Sequence, residues 1–255
     1  MKRIMDLDSK LNDTNLKYGK KIVGYIDLLG FSQKLCESST VSDFQPLICK
    51  LQEVKHGIDY KKTVHISWFS DCCYIWAEQG YIHDFMICMT CLCRDLLTMT
   101  IAHEGLEKYQ EVKNYLFRGG ITYGDFFSLE EFVTNHNVDL ENPVQILLGS
   151  SIVNAHNLEN KIAHTPRIVI DDDFSKCVES NSEVFKSIDF ITQDKDGIKY
   201  FDYLRFLKNE LDEPLPNEIE NVIQWAKEEK DKLDKTKSKY EWLIEYLTKH
   251  ISNNG

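Results

Sequence analysis

Asp27 and Asp71 are the two acids in this chain whose surroundings suit metal and phosphate chemistry. Asp27 follows the apolar run Ile22, Val23, Gly24, Tyr25, Ile26 and precedes Leu28, Leu29, Gly30, Phe31 and Ser32. The run reads as a buried strand, and a helical pattern follows it. A carboxylate therefore stands where a strand ends, beside a glycine-marked turn into a helix N-terminus. Backbone N–H groups and the positive end of a helix dipole attract anions, while the carboxylate attracts a cation. Phosphate and a divalent cation can share such a place. Asp71 lies between the apolar stretches Val64 to Phe69 and Cys72 to Trp76, which read as a hairpin turning at Ser70 and Asp71. A turn aspartate commonly accepts local backbone hydrogen bonds. A hairpin tip can also lie beside the end of a neighbouring strand. Asp27 and Asp71 would then face each other, and two close carboxylates repel unless a cation lies between them.

The elements that would position these acids follow from hydrophobic spacing. Residues 43–57 carry Phe44, Leu47, Ile48, Leu51 and Val54 on one side of a helical pattern. Residues 81–103 carry Phe85, Cys88, Met89, Leu92 and Leu96 on another. Strand, helix, hairpin, helix and strand then succeed one another from Ile22 to Tyr123. This predicts an α+β fold in βαββαβ order, with helices on one face of a mainly antiparallel sheet. Residues 130–143 are polar and read as a surface loop or a short excursion, and 144–148 as a short strand. Gly149, Ser150 and Ser151 open a helix. Arg167 to Ile170 is a further strand, and the run Asp171, Asp172, Asp173 reads as a cap on the next helix rather than a cation site. Residues 180–196 are irregular, and 197–207 read as a strand and then a short helix. After Pro214 and Pro216, residues 217–250 form a long helical stretch, either two helices in a hairpin or one helix docked at both ends. The expected organisation is a polar segment at 1–20, a catalytic domain at 21–212 and a helical extension at 213–255.

The 255 residues include 42% apolar types and carry a net charge of −11, from 41 acids and 30 bases. That balance argues against nonspecific nucleic-acid or anionic-membrane binding. It leaves a nucleotide substrate open, because bound cations and local bases set the field of a small site. No apolar run reaches bilayer length and the first residues are polar, so a cytoplasmic chain is expected. Cys88, Cys91 and Cys93 fall on the apolar helical pattern without a second Cys/His pair at zinc spacing, and read as core residues.

Four segments, in order, resemble one family. Ile26-Asp27-Leu28-Leu29-Gly30-Phe31-Ser32 is similar to the first metal motif of the class III nucleotidyl cyclases. Phe69-Ser70-Asp71 resembles the second, with Ser where Gly is usual. Phe117-Arg118-Gly119-Gly120-Ile121-Thr122-Tyr123-Gly124-Asp125 resembles the family strand "Arg, x, Gly-Ile, x, x, Gly, acid". Gly149 to Glu159 resembles the helix that ends in Ala, x, Arg-Leu-Glu. The departures are specific. The base-reading Lys of purine cyclases falls on Ser67, its Asp or Thr partner on Ile146, the helix Arg on Asn157 and the helix Asn on Val153. The metal half is kept and the adenine-reading half is not. That pattern resembles the pyrimidine cyclases of bacterial anti-phage (Pycsar) systems, which make cyclic UMP or cyclic CMP.

The resemblance implies a set of roles. Asp27 and Asp71 would bridge two Mn2+ or Mg2+ ions, with the Leu28 carbonyl as a further ligand. The amides of Leu29, Gly30 and Phe31 would meet the triphosphate, and a side chain at Gly30 would obstruct that approach. Ser67 would border the base. Arg118 would either meet phosphate or pair with a nearby carboxylate. Asn157 would bond ribose or phosphate, and Lys161, one turn on, would supply charge. The site would be shared across a homodimer, with the helix bearing Asn157 coming from the partner. The product would act on a separate cyclic-nucleotide effector. A purine cyclase and a non-catalytic nucleotide-sensing domain are the alternatives.

Overall fold

The computed structural model describes residues 10, 18–31, 36, 40, 44–45, 47–49, 51–52, 55–56, 62–98, 115–138, 145–232 and 236–252. Readings placed on residues 1–9 and 11–17, on Ser32, Asp43, Val54 and residue 57, and on residues 99–103, 139–144 and 233–235 lie outside them. The strands are β1 (Gly19–Leu28), β2 (Val64–Phe69), β3 (Cys72–Glu78), β4 (Phe117–Ser128), β5 (Leu147–Leu148), β6 (Ile168–Ile170), β7 (Ile191–Gln193) and β8 (Lys199–Phe201). The α-helices are α1 (Ile82–Leu97), α2 (Leu129–Asn135), α3 (Ser150–Asn157), α4 (Asp172–Ser180), α5 (Tyr203–Glu210), α6 (Ile219–Lys232) and α7 (Lys237–Ser252). Residues 45, 47–49, 51–52 and 55–56 are also helical, where a helix between β1 and β2 is expected.

The fold is α+β around one mixed sheet in the order β2-β3-β1-β4-β6-β8-β7, with β5 paired to β4. Only the β4–β6 pairing is parallel among these; the other ladders are antiparallel. β1 is central because both of its faces are apolar. Ile22, Ile26 and Leu28 join the main core with Phe85 and Met89 of α1, Phe174 of α4 and Leu204 of α5. A Cβ on Gly24 would stand 3.0 Å from Met89 Sδ, so α1 lies directly on β1. Val23 and Tyr25 face the other way and pack with Trp76, Phe126 and Ala155 of α3. The helices are therefore not all on one face, because a strand apolar on both sides needs cover on both. Asp27 shares the α3 side by alternation.

α3 can lie this close because β4 has a glycine beneath it. A Cβ on Gly120 would stand 2.5 Å from both the Ala155 carbonyl and the Leu158 Cβ. Gly120→Ala is expected to cost about 2–4 kcal/mol by overpacking against backbone. Urea unfolding checks this, and a change below about 0.5 kcal/mol would contradict the close contact.

Three other readings meet the structure. Leu129–Asn135 of the polar segment is helical rather than loop, capped by the Ser128 hydroxyl accepting from the Glu131 amide. Asp171 caps α4, accepting the Phe174 N–H at 2.8 Å. Cys88 and Cys93 are buried in the core on α1. β7 lies in the stretch read as irregular, since three residues give too short a pattern to detect.

Of the two readings of the C-terminal stretch, the structure has the hairpin of two helices. Trp225 of α6 meets Tyr240 of α7 edge-on, with ring centroids 5.7 Å apart. Leu243 and Leu247 enter the main core. Asp202, fully buried, accepts a hydrogen bond from Tyr246 Oη at 2.9 Å and faces His250 Nε2 at 2.9 Å. Among the described residues no helix is long and apolar enough to cross a membrane.

Candidate active site

Asp27 is the last residue but one of β1, opposite Cys72 on β3 and Arg118 on β4. The Leu28 N–H donates to the Asp71 carbonyl at 2.8 Å, which docks the β2–β3 hairpin tip against the end of β1. Ser70 makes that tip with φ of 54°. The two acids singled out in the sequence thus come to one end of the sheet.

A third acid completes the cluster. A π-helical turn, Leu158–Ile162, continues α3 and carries Glu159, which is 3% exposed. Arg118 Nε stands 2.5 Å from Glu159 Oε1 and 3.9 Å from Asp27 Oδ2. Arg118 Nη1 also donates to the Ala163 carbonyl at 3.4 Å. Arg118 is thus placed as an ion-pair partner of Glu159.

Burial pushes the Asp27 carboxyl up to about 6, with the Glu159 and Asp71 charges adding to it and Arg118 and His156 opposing. Burial also raises Glu159, against the pull of Arg118 and Lys239. Two acids brought to one sheet end, one of them with its proton affinity raised by the other's charge, are oxygen donors of the kind a hard divalent cation takes, although no group of three or more acidic, His or Cys side chains among the described residues is arranged to hold a metal. Such binding must displace the Asp27 proton. Mn2+ affinity is therefore expected to fall about tenfold per pH unit below about 6 and to level off above it. Calorimetric titration from pH 5 to pH 8 reads this directly, and a flat profile between pH 5 and pH 6 would remove Asp27 from the metal set.

The phosphate side differs from expectation at one residue. The Leu29 amide donates to the Leu116 carbonyl at 2.8 Å, because the chain is still paired with the segment leading into β4. It is engaged and does not serve a phosphate here. Gly30 turns the chain with φ of +74°, and nothing lies within 4 Å of where its Cβ would be. That conformation itself calls for glycine. Phe31 is buried, its ring edge-on to Phe44 at 5.2 Å.

Ser67 is 3% exposed, and its hydroxyl is buried without a hydrogen-bond partner. It lies in a cross-strand row with Tyr74, Tyr25 and Gly120, next to the row of Asp27. The Tyr25 and Tyr74 rings are 4.8 Å apart. Trp68 packs on the main core instead. Ile146 is 38% exposed, and its carbonyl accepts the Leu129 N–H at the far end of β4. Asn157, half-buried, ends α3, and Lys161 is exposed on the π turn. His156 is exposed, yet its ring meets Tyr25 edge-on at 5.3 Å and its charge acts on Asp27.

Sequence reading missed Glu159 as a site residue, and Lys239 as a charge that acts on it. Glu159 closes the helix motif, so the Arg118 motif could have suggested its partner. Lys239 sits among other lysines and acids and carries no distinguishing signal.

No protein-family profile and no curated protein matches the chain. Solved structures similar to it include the monomeric guanylyl cyclase domain of the RhoGC fusion protein from the aquatic fungus Blastocladiella emersonii. That match has 14% identity and a TM-score of 0.48 over 73% of this chain and 95% of that one. The guanylate cyclase domain of RhGC from Catenaria anguillulae, in complex with GTP, matches with 16% identity and a TM-score of 0.45 over 72% and 94%. The adenylyl cyclase CyaB from P. aeruginosa matches with 16% identity and a TM-score of 0.45 over 71% and 92%.

Proposed function

We propose that the chain is a nucleotidyl cyclase that converts UTP or CTP to the 3′,5′-cyclic nucleotide and pyrophosphate. The observation that carries this reading is the meeting of Asp27, with its raised proton affinity, and Asp71 at one end of the sheet. In this reaction the ribose 3′-hydroxyl attacks the α-phosphorus and pyrophosphate leaves. Bound Mn2+ or Mg2+ supplies acidity to that hydroxyl and neutralises charge on the triphosphate. Asp27, Asp71 and the Leu28 carbonyl would hold the cations. The turn at Gly30 and Phe31 offers its backbone to the phosphates. Arg118, matched by Glu159, holds the π turn against β4 and so positions the acids. Ser67 offers the base a hydroxyl from the neighbouring row. Incubating the protein with each nucleoside triphosphate and Mn2+ tests the reaction; absence of any cyclic product would end it.

A homodimer with shared sites accompanies this reading, supported by the family resemblance. Ile146, Leu148 and Val153, large apolar residues leading into and along α3, are exposed and suit a partner's surface. An Asp71→Asn chain mixed with an Asn157→Ala chain is expected to recover part of the activity through one intact composite site. A strictly monomeric, active protein would rule the shared site out. The anti-phage role, with the product acting on a separate effector, rests on the same resemblance.

A further inference from the structure

The end of the sheet away from Asp27 gathers a second group of charged side chains. Lys21 shares the Asp27 face of β1 by alternation, six residues earlier and so roughly 20 Å away. It is only 8% exposed. Its Nζ pairs with Glu131 Oε2, stands 3.2 Å from Glu78 Oε1 and lies 5.4 Å from the centroid of the Phe126 ring. Glu131 Oε1 accepts the Trp76 Nε1–H at 2.7 Å and faces His65 Nε2 at 3.4 Å. The His65 ring lies flat on Trp76, with centroids 5.5 Å apart and planes 13° from parallel. His65, Trp76 and Glu78 come from β2 and β3, and Glu131 from the first turn of α2.

The Lys21–Glu131 pair by itself would hold α2 to the sheet. It does not account for the space beside it. A cleft of about 310 Å³ opens there, walled by His65, Trp76 and Tyr81, with Tyr81 46% exposed. Its charged lining is Glu78, Glu130 and Glu131 against Lys21 and Lys62, so one carboxylate is in surplus. A cleft with surplus negative charge concentrates cations. Lys21 shows which kind of cation this lining suits, because its ammonium is held by two carboxylates beside an aromatic ring. The Glu131 oxygens are already engaged by Lys21 and Trp76, and do not converge with the other acids on one point as a metal ion requires. Carboxylates set among aromatic rings take an organic cation instead, the charge meeting the acids and the methylene groups meeting the rings.

We propose that this cleft, at the end of the sheet away from Asp27, binds a small aliphatic amine. The ammonium lies among Glu78, Glu130 and Glu131, and the carbon chain packs on His65 and Tyr81. The assignment does not depend on the cyclase reading, since none of these residues belongs to the Asp27 end.

The test is calorimetric titration of the full chain with 1,4-diaminobutane at low salt. The neutral 1,4-butanediol, the anion succinate and Mg2+ are titrated in parallel, and thermal midpoints are recorded. Glu130→Gln and Tyr81→Ala change exposed side chains and leave the Lys21–Glu131 pair in place. The expected result is saturable binding of the diamine and none of the diol or succinate. Binding should weaken about fivefold in Glu130→Gln and about threefold in Tyr81→Ala. Asp27→Asn should bind the diamine as wild type does. Loss of binding in Asp27→Asn would move the amine to the other end of the sheet and overturn the assignment. Unchanged binding by both cleft variants would overturn it, as would a wild type that does not bind the diamine saturably. Equal binding of the diol would mean that charge is not recognised, and displacement of the diamine by an equal concentration of Mg2+ would make the cleft a hard-cation site; either result would also overturn it.

Discussion

Asp27→Asn and Asp71→Asn are each expected to lower turnover at least about a hundredfold, because each removes a charged oxygen ligand from the cation site. Asp27→Asn should at the same time make the metal-free protein more stable. In the folded chain the Asp27 carboxyl is pushed from its ordinary 3.8 up to about 6, first by burial and then by Glu159 and Asp71. A group with a raised folded value contributes its full stability below 3.8 and loses it as pH rises through about 6. At neutral pH the ionised side chain therefore works against folding, by on the order of 1–3 kcal/mol. Asn relieves that charge, so the gain should be small at pH 4 and complete by pH 7. Thermal melts of both proteins across that range, without metal, read the difference. A mutant that is inactive but no more stable at pH 7 would mean that the acids are not crowded. A mutant with normal turnover would sink the two-cation reading.

The second large effect concerns the base. UTP or CTP should be cyclised in preference to ATP and GTP, with UTP slightly ahead. Ser67 is short and Ile146 offers no polar side-chain atom, so neither reads the adenine edge as a lysine and its hydrogen-bonding partner do. The Ser67 hydroxyl is buried without a partner, a condition that a base with a matching polar edge would relieve. Hydrogen-bonded sites discriminate strongly only when the right ligand satisfies their polar groups. The measurement is kcat/KM for the four triphosphates under identical Mn2+. If ATP leads by about tenfold, a gap of roughly 1.4 kcal/mol in transition-state free energy, the pyrimidine assignment is wrong.

The parts legible in the sequence are those written by local pattern. The run through Ile26 and the Ser70–Asp71 turn are set by residues close to them, so β1, the hairpin and the meeting of Asp27 with Asp71 could be anticipated. The Gly119–Gly120 pair was legible as a motif, but its cause was not. Gly120 is required by the Ala155 carbonyl, which arrives from a distant segment. The Leu29 amide was misread for a similar reason: its partner, the Leu116 carbonyl, belongs to the segment that leads into β4. α2 carries no helical signal of its own, because its seven residues sit in a polar context and owe their helix to the Ser128 cap and the burial of Phe132 and Val133.

The buried Asp202 has a consequence in time. Its carboxylate is fully enclosed, and Tyr246, which bonds it, lies 44 residues further along the chain. At ribosomal rates of about 5–20 residues per second, Asp202 is made roughly 2–9 s before Tyr246. Until then its partners are the Arg205 N–H at 3.1 Å, the Arg205 Nε at 3.5 Å and the Thr192 hydroxyl at 3.5 Å, and burying a carboxylate before its set of partners is complete is costly. In that interval the β8 end of the sheet, where Asp202 follows Phe201, is held open to water. A nascent chain caught there presents an unfinished strand edge beside β6 and β4, the kind of surface on which chaperones act and chains mispair. Slow decoding between Asp202 and Tyr246 should therefore lower the yield of folded protein more than the same delay upstream of β1.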